Sequence, residues 1–136
     1  SGSWCPNCHD EAPFLEALYK KYRDRGLEVV ALSFEEDDQL QNPTRLRAFL
    51  REYGIDYTVL VPGEPSQLHE KLPQAVNLNS WPTTFFLGRD GRVRGVHAGF
   101  AGPASAEFNK SQNAEVEGLI EGLLGETGRG VSEAGR

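Results

Sequence analysis

Cys5 and Cys8 are the only cysteines in the 136 residues, and they stand in the run Trp4-Cys5-Pro6-Asn7-Cys8-His9. A disulfide-stapled small domain spreads several cysteines along its length; a close pair alone points to redox chemistry or ligation. On a helix, side chains at i and i+3 lie one turn apart with Cβ atoms roughly 5–6 Å from each other, so small adjustments close a disulfide. At a helix start the first sulfur faces unpaired backbone N–H groups and the positive end of the helix dipole, and both favour a thiolate. A free thiol near pKa 8.5 falls to about 3.5–7.5 in such settings. On this reading Cys5 attacks, and Cys8, one turn deeper, resolves the mixed disulfide. Pro6 fits the first helical position, where the N–H it lacks would have had no helical partner.

Other chemistry is written in the same residues. Two unreactive or structurally bridged cysteines are the plainest rival. Cys5 to His9 also matches CxxCH, the c-type haem attachment pattern, with His9 as axial ligand. The chain has no Met, so His69, His97 or an unusual group would have to supply the sixth ligand, and several expected strands fit poorly with a small helical cytochrome. A zinc site would need His69 and His97 to converge on the cysteine pair. His9 otherwise reads as a surface residue that tunes the thiol.

These residues need a scaffold. About Cys5 to Arg25 reads as a helix, with Phe14, Leu15, Leu18 and Tyr22 at helical spacing and Gly26 past its end. Leu27–Phe34 reads as a parallel strand buried on both faces, followed by a solvated acidic loop, Glu35–Asp38. Asn42-Pro43 reads as a cap and first residue for a helix whose apolar face is Leu46, Phe49, Leu50 and Tyr53, ended by Gly54. Tyr57–Val61 is a short strand, and Ser66 is read as capping a short helix with Leu68 and Leu72. Thr83–Leu87 and Val93–Ala98 flank Gly88-Arg89-Asp90-Gly91 as a hairpin. A last amphipathic helix is expected over 114–124, carrying Val116, Leu119, Ile120, Leu123 and Leu124. The polar, Gly-rich stretch 126–136 is expected as a disordered tail beyond a single domain of 1–125.

An α/β layer requires a strand feeding the first helix, and Ser1-Gly2-Ser3 cannot supply one. The chain also opens on Ser1, with no signal peptide to read. Either the chain is a fragment lacking its N-terminal strand or its sheet is assembled abnormally; a fragment is the favoured expectation. No apolar run approaches the roughly 18 residues of a membrane span, and a formal charge of −6 argues against a basic nucleic-acid footprint.

Trp81-Pro82-Thr83 stands directly before a strand, where proline is tolerated. Together with Gly2-Ser3-Trp4-Cys5-Pro6-Asn7-Cys8, Glu11, Pro13, Leu27–Phe34, Trp81–Leu87 and Asp90-Gly91-Arg92 to Gly99, it makes the chain resemble the thioredoxin superfamily. Within it, the TlpA/ResA group of bacterial thiol–disulfide oxidoreductases is the nearest likeness. The resemblance implies α/β architecture: a thioredoxin fold with a central mixed sheet flanked by helices, here without the strand preceding the CxxC helix. It implies Cys5 as nucleophile, Cys8 as resolving thiol and Pro82 as a cis-proline facing them. The backbone of Trp81 would pair with an extended substrate segment, and Trp4, Pro6 and Thr83 would complete that face. Glu11 matches the acid found three residues after the second cysteine, where a partly buried carboxylate exchanges a proton with Cys8; the alternative is an ordinary exposed helix residue. Pro13 would kink the first helix.

The implied activity is protein disulfide reduction outside the cytoplasm, acting on exported proteins or apocytochrome c as a monomer. A membrane tether would lie in the absent N-terminus. A second protein would reduce or oxidise the pair. No metal or organic cofactor is expected beyond the Cys5–Cys8 disulfide. Two further alternatives are a redox-inactive thioredoxin-like binding module and a peroxiredoxin-like peroxidase, whose usual single peroxidatic cysteine differs from a close pair.

Overall fold

The computed structural model describes residues 1–126; all but the first residue of the expected 126–136 tail lies outside them. The elements run α1 (Pro6–Tyr22), β1 (Val30–Leu32), α2 (Asp37–Gln41), α3 (Thr44–Glu52), β2 (Thr58–Leu60), α4 (Leu68–Lys71), β3 (Thr83–Leu87), β4 (Val93–Ala98) and α5 (Glu107–Gly125).

Helix α1 organises the molecule. Cys5 is its N-cap in extended conformation, and Pro6 occupies the first helical position. Pro13 lies inside the helix, where its missing N–H removes the bond to the His9 carbonyl. A short 3-10 turn, Arg23–Arg25, then ends on Gly26 at φ 108°, a left-handed position suited to glycine. Along one stripe Leu18 and Tyr22 pack against Val116 and Ile120 of α5, with Phe86 of β3 alongside. Along another, Ala12 packs on Leu46 and Phe49 of α3, with Val59 of β2 behind. The helix is thus wedged between two apolar layers, which fixes its start in space.

β1 and β2 pair in parallel, with Val30 opposite Thr58 and Leu32 opposite Leu60. β3 and β4 pair antiparallel around the Gly88–Arg92 turn, with Thr84 opposite His97 and an irregularity at Phe86/Leu87. Where one central mixed sheet is expected, the described strands form two separate pairs. β1 and β3 face a common apolar cavity of about 570 Å³, also walled by Leu15 and Leu18 of α1. They share no ladder across it, and α1 is the first element of the chain.

Several local expectations are corrected. The first strand is three residues long instead of eight and is not buried on both faces: Val30 is 56% exposed because one side of β1 opens on the cavity. Glu35 is fully buried, not solvated. Asp37–Gln41 is helical, and Pro43, not Asn42, is the cap residue of α3. Ser66 sits inside a 3-10 turn, Pro65–Gln67, whose start is closed by the Glu64 N–H donating to Gln67 Oε1 at 2.9 Å. α5 begins at Glu107, seven residues before the expected start at 114.

Candidate functional site

The segment before α1 is held from three sides. The Ser3 N–H donates to Glu35 Oε2 at 2.8 Å, and its hydroxyl donates to Glu35 Oε1. Ser33 Oγ donates to Glu35 Oε2 at 2.7 Å, and Arg45 Nε donates to Ser3 Oγ at 2.9 Å. Arg45 Nη2 lies 3.6 Å from Glu35 and 2.9 Å from Glu36. A buried carboxylate is tolerated only with such partners, and here they all tie down the residue two before Cys5. The Trp4 indole N–H donates to the Phe34 carbonyl at 2.7 Å. A side chain at Gly2 would collide with that indole and with Phe34 O, which accounts for glycine there.

His9 supplies the third tie. Its Nε2 is 2.8 Å from the Ser3 carbonyl and its Nδ1 2.8 Å from Tyr53 Oη. A carbonyl only accepts, so Nε2 carries a proton; in the neutral ring Nδ1 then accepts from the tyrosine. Both nitrogens are engaged, so His9 is neither a free surface residue nor a free ligand for haem iron. His97 is bonded to Gln112 and His69 is exposed on α4, a geometry that does not bring them to the cysteines as a zinc site requires.

The two cysteines are unbridged and buried, Cys5 3% and Cys8 2% exposed. The Cys8 N–H donates to Cys5 Sγ at 3.2 Å, so the first sulfur receives one of the helix's otherwise unpaired donors. Cys8 is different in kind. Burial pushes its thiol well above the ordinary value, and its hydrogen bond with Cys5 pushes the same way. One turn on, Glu11 is 6% exposed, so the exposed-residue alternative for it fails. Burial raises its carboxyl to about 7, only partly offset by the Thr84 hydroxyl, which donates to Oε2 at 3.3 Å. Cys8 and Glu11 line the same cavity, as i, i+3 neighbours on one helix face should.

The Trp81–Pro82 peptide is cis. Pro82 is buried in the wall of the cavity that Cys8 and Glu11 line, and its carbonyl accepts from Gly99 N at 2.7 Å. Trp81 stacks edge-on against Trp4, ring centroids 5.0 Å apart, and against Phe34 at 5.8 Å. Trp4, Cys5, Cys8, Glu11, Trp81 and Pro82 therefore gather at one end of α1. Pro6 is exposed beside them. The Thr83 hydroxyl is committed to the Ser80 carbonyl at 2.7 Å.

Sequence reasoning missed Glu35, Arg45, Thr84 and Tyr57. Tyr57 is a buried phenol in the same cavity, its pKa raised by burial and then by Glu11, Glu16 and Cys8 nearby. Nothing local marks these residues; Glu35 follows β1, Arg45 lies in α3, Tyr57 precedes β2 and Thr84 lies in β3.

A CxxC pair at the start of a helix wedged against sheet, with a cis X–Pro peptide before a strand, marks a thioredoxin-like fold. The AhpC/TSA family model matches residues 1–96, and the chain belongs to that family. It is 29% identical over 92 residues to the thiol-disulfide oxidoreductase ResA of Bacillus anthracis, covering 68% of this chain and 47% of that protein. It is 30% identical over 97 residues to the thioredoxin-like protein YneN of Bacillus subtilis, covering 71% and 52%. A solved structure described as a thiol:disulfide interchange protein DsbE, from Chlorobium tepidum, superposes with TM-score 0.66 at 24% identity. It covers 91% of this chain and 75% of that one, and shows the shared fold. The chain spans about half the length of the curated relatives it matches.

Proposed function

We propose that this chain carries out dithiol–disulfide exchange with protein substrates, in the reducing direction. Cys5 as thiolate attacks one sulfur of a partner disulfide and expels the other as a thiolate. The partner is then joined to Cys5. Cys8 gives its proton to the Glu11 carboxylate and attacks Cys5 Sγ, releasing the partner's second thiolate and leaving the Cys5–Cys8 disulfide. A separate reductant returns the two electrons. No metal or organic cofactor takes part.

One observation carries the reading: the two sulfurs are made unequal by a single helix start. Cys5 receives the Cys8 N–H at the cap, whereas Cys8 lies behind it, burial-raised and next to a carboxyl that titrates near 7. That is the order of events exchange requires, with a ready nucleophile first and a thiol needing a base second. Trp4, Trp81 and Pro6 form the rim on which a partner docks. An extended partner segment pairs with the backbone at Trp81. The activity named for the ResA relative, thiol–disulfide oxidoreduction, supports the class. Exported proteins or apocytochrome c in an extracytoplasmic compartment are the substrates that the ResA likeness favours. No described helix is long and apolar enough to cross a membrane.

Insulin reduction and trapping test the proposal. Cys8→Ser should accumulate a mixed disulfide through Cys5, and Cys5→Ser should not. Trapping through Cys8 instead would reverse the roles. No turnover by the wild-type dithiol would favour a binding module.

A further inference from the structure

Glu11 sits at the junction of two cavities. Beyond the large one lies a second of about 10 Å³, lined by Glu11, Thr84, His97, Phe86, Phe100 and Val116. That is room for one water, provided polar partners surround it. The Glu11 carboxyl, the Thr84 hydroxyl and the His97 ring are such partners. The strand register sets this up: Thr84 and His97 are directly opposite each other on β3 and β4, so their side chains project from one face, towards α1.

The state of His97 follows from backbone geometry. The Ala101 N–H must donate, and it does so to Gln112 Oε1 at 2.9 Å; the Ala101 carbonyl must accept, and it does so from Gln112 Nε2 at 3.1 Å. The orientation of the buried Gln112 amide is thereby fixed by a backbone that cannot be flipped. Its Oε1 lies 2.8 Å from His97 Nε2, which must therefore carry a proton. Nδ1 is left as the one ring atom able to take another. His97 is only partly buried, so it reaches both the small cavity and solvent.

We infer that His97 is the relay through which Glu11 exchanges its proton with solvent. The inference rests on the Cys8–Glu11 proton exchange proposed above. When Cys8 is deprotonated, its proton goes to the Glu11 carboxylate. The neutral carboxyl then passes a proton, through one water, to His97 Nδ1. The imidazolium gives it to solvent, and Glu11 is a carboxylate again. No electrons move in this half of the cycle. His97 acts through Glu11 and is a positioning residue, not one that touches the sulfurs. The titratable groups around Glu11 are consistent with this route. On its own helix there is Cys8; from the β2 side Tyr57; the Ser1 amine lies on the cavity side; and β4 presents His97. β3 and α5 contribute Thr84, Gln112 and Val116, which do not titrate. Among these groups His97 is the imidazole, and it is partly exposed.

The test follows the decay of a preformed Cys5–peptide mixed disulfide in the full chain, read by tryptophan fluorescence as a function of pH. His97→Ala should slow this decay about tenfold, a modest share of what general acid–base catalysis supplies, while attack by Cys5 on the peptide disulfide keeps its rate. Added imidazole should restore the decay. His97→Gln, which keeps a donor for Gln112 Oε1 and removes the titrating nitrogen, should be equally slow and not be rescued. Wild-type decay and pH profile in a folded His97→Gln variant would overturn the relay, as would failure of imidazole to restore His97→Ala. Glu11→Gln separates the two proposals: slow decay there with unaffected His97 variants sinks only the relay, whereas unaffected decay in Glu11→Gln sinks the carboxylate's role itself.

Discussion

Glu11 and Glu35 are both taken out of water on either side of the cysteine pair, yet the fold holds them in opposite ways. Glu35 accepts from the Ser3 N–H, the Ser3 hydroxyl and the Ser33 hydroxyl, and faces Arg45 at 3.6 Å. Among the described residues Glu11 receives a single hydrogen bond, 3.3 Å from the Thr84 hydroxyl. Burial is similar; the supply of donors is not. A carboxylate given every donor it needs becomes a structural clamp. One left short keeps its proton to higher pH and becomes available for chemistry.

The comparison can be broken at either end. Glu35→Ala should give the largest effect, a loss of about 3 kcal/mol, because it strands the buried Ser3 and Ser33 groups and half of an ion pair. Urea unfolding would read it. A loss below about 1 kcal/mol, within the range of an ordinary hydrogen bond, would mean the clamp is ornamental.

Glu11→Gln should act with the other sign. The folded carboxyl titrates near 7 against an ordinary 4.5. Between those values the folded state keeps a proton that the unfolded chain has released. Stability therefore falls as pH rises through that window and levels off above it. Glu11→Gln should remove the slope and stabilise the protein above neutrality by about 1–3 kcal/mol. Unfolding midpoints across the window check both; an unchanged slope would remove Glu11 from the comparison.

Arg45→Ala is expected to cost about 1–2 kcal/mol, through the lost Ser3 hydrogen bond and half-exposed ion pair, and to slow exchange by loosening the segment before Cys5. Lys21→Ala breaks the exposed pair with Glu117 on α5 and an exposed contact of the ammonium with the Tyr22 ring and should change the melting temperature little, a control for effects of charge.

Much of this site was legible because it is local. Cys5, Pro6 and Cys8 lie within one helical turn, Glu11 one turn further, and Trp81-Pro82 is a single dipeptide at a strand entrance. The helix and hairpin positions followed from period and turn residues in the same way. Glu35 was misread because Glu-Glu-Asp-Asp has the composition of a wet loop; its burial depends on Ser3 and Arg45, 32 and 10 residues away. Leu27–Phe34 looked fully buried because apolar composition cannot reveal which face of a strand meets another layer. The first turns of α5 were missed because Glu107–Asn113 has only Phe108 to mark it, and that side chain is 77% exposed. His97 was weighed only as a metal or haem ligand. Its partner Gln112 and its strand neighbour Thr84 become visible only once β3 and β4 are in register.

The cleft between β1 and β3 has a calorimetric signature. Val30 and Leu87, on its two walls, are already more than half wet in the folded chain, so unfolding uncovers less fresh apolar area than the chain length suggests. The heat-capacity increment should fall below the roughly 12–15 cal/mol/K per residue of well-closed domains. The denaturant slope should be shallow to match, and whatever packs that cleft with side chains would steepen both together.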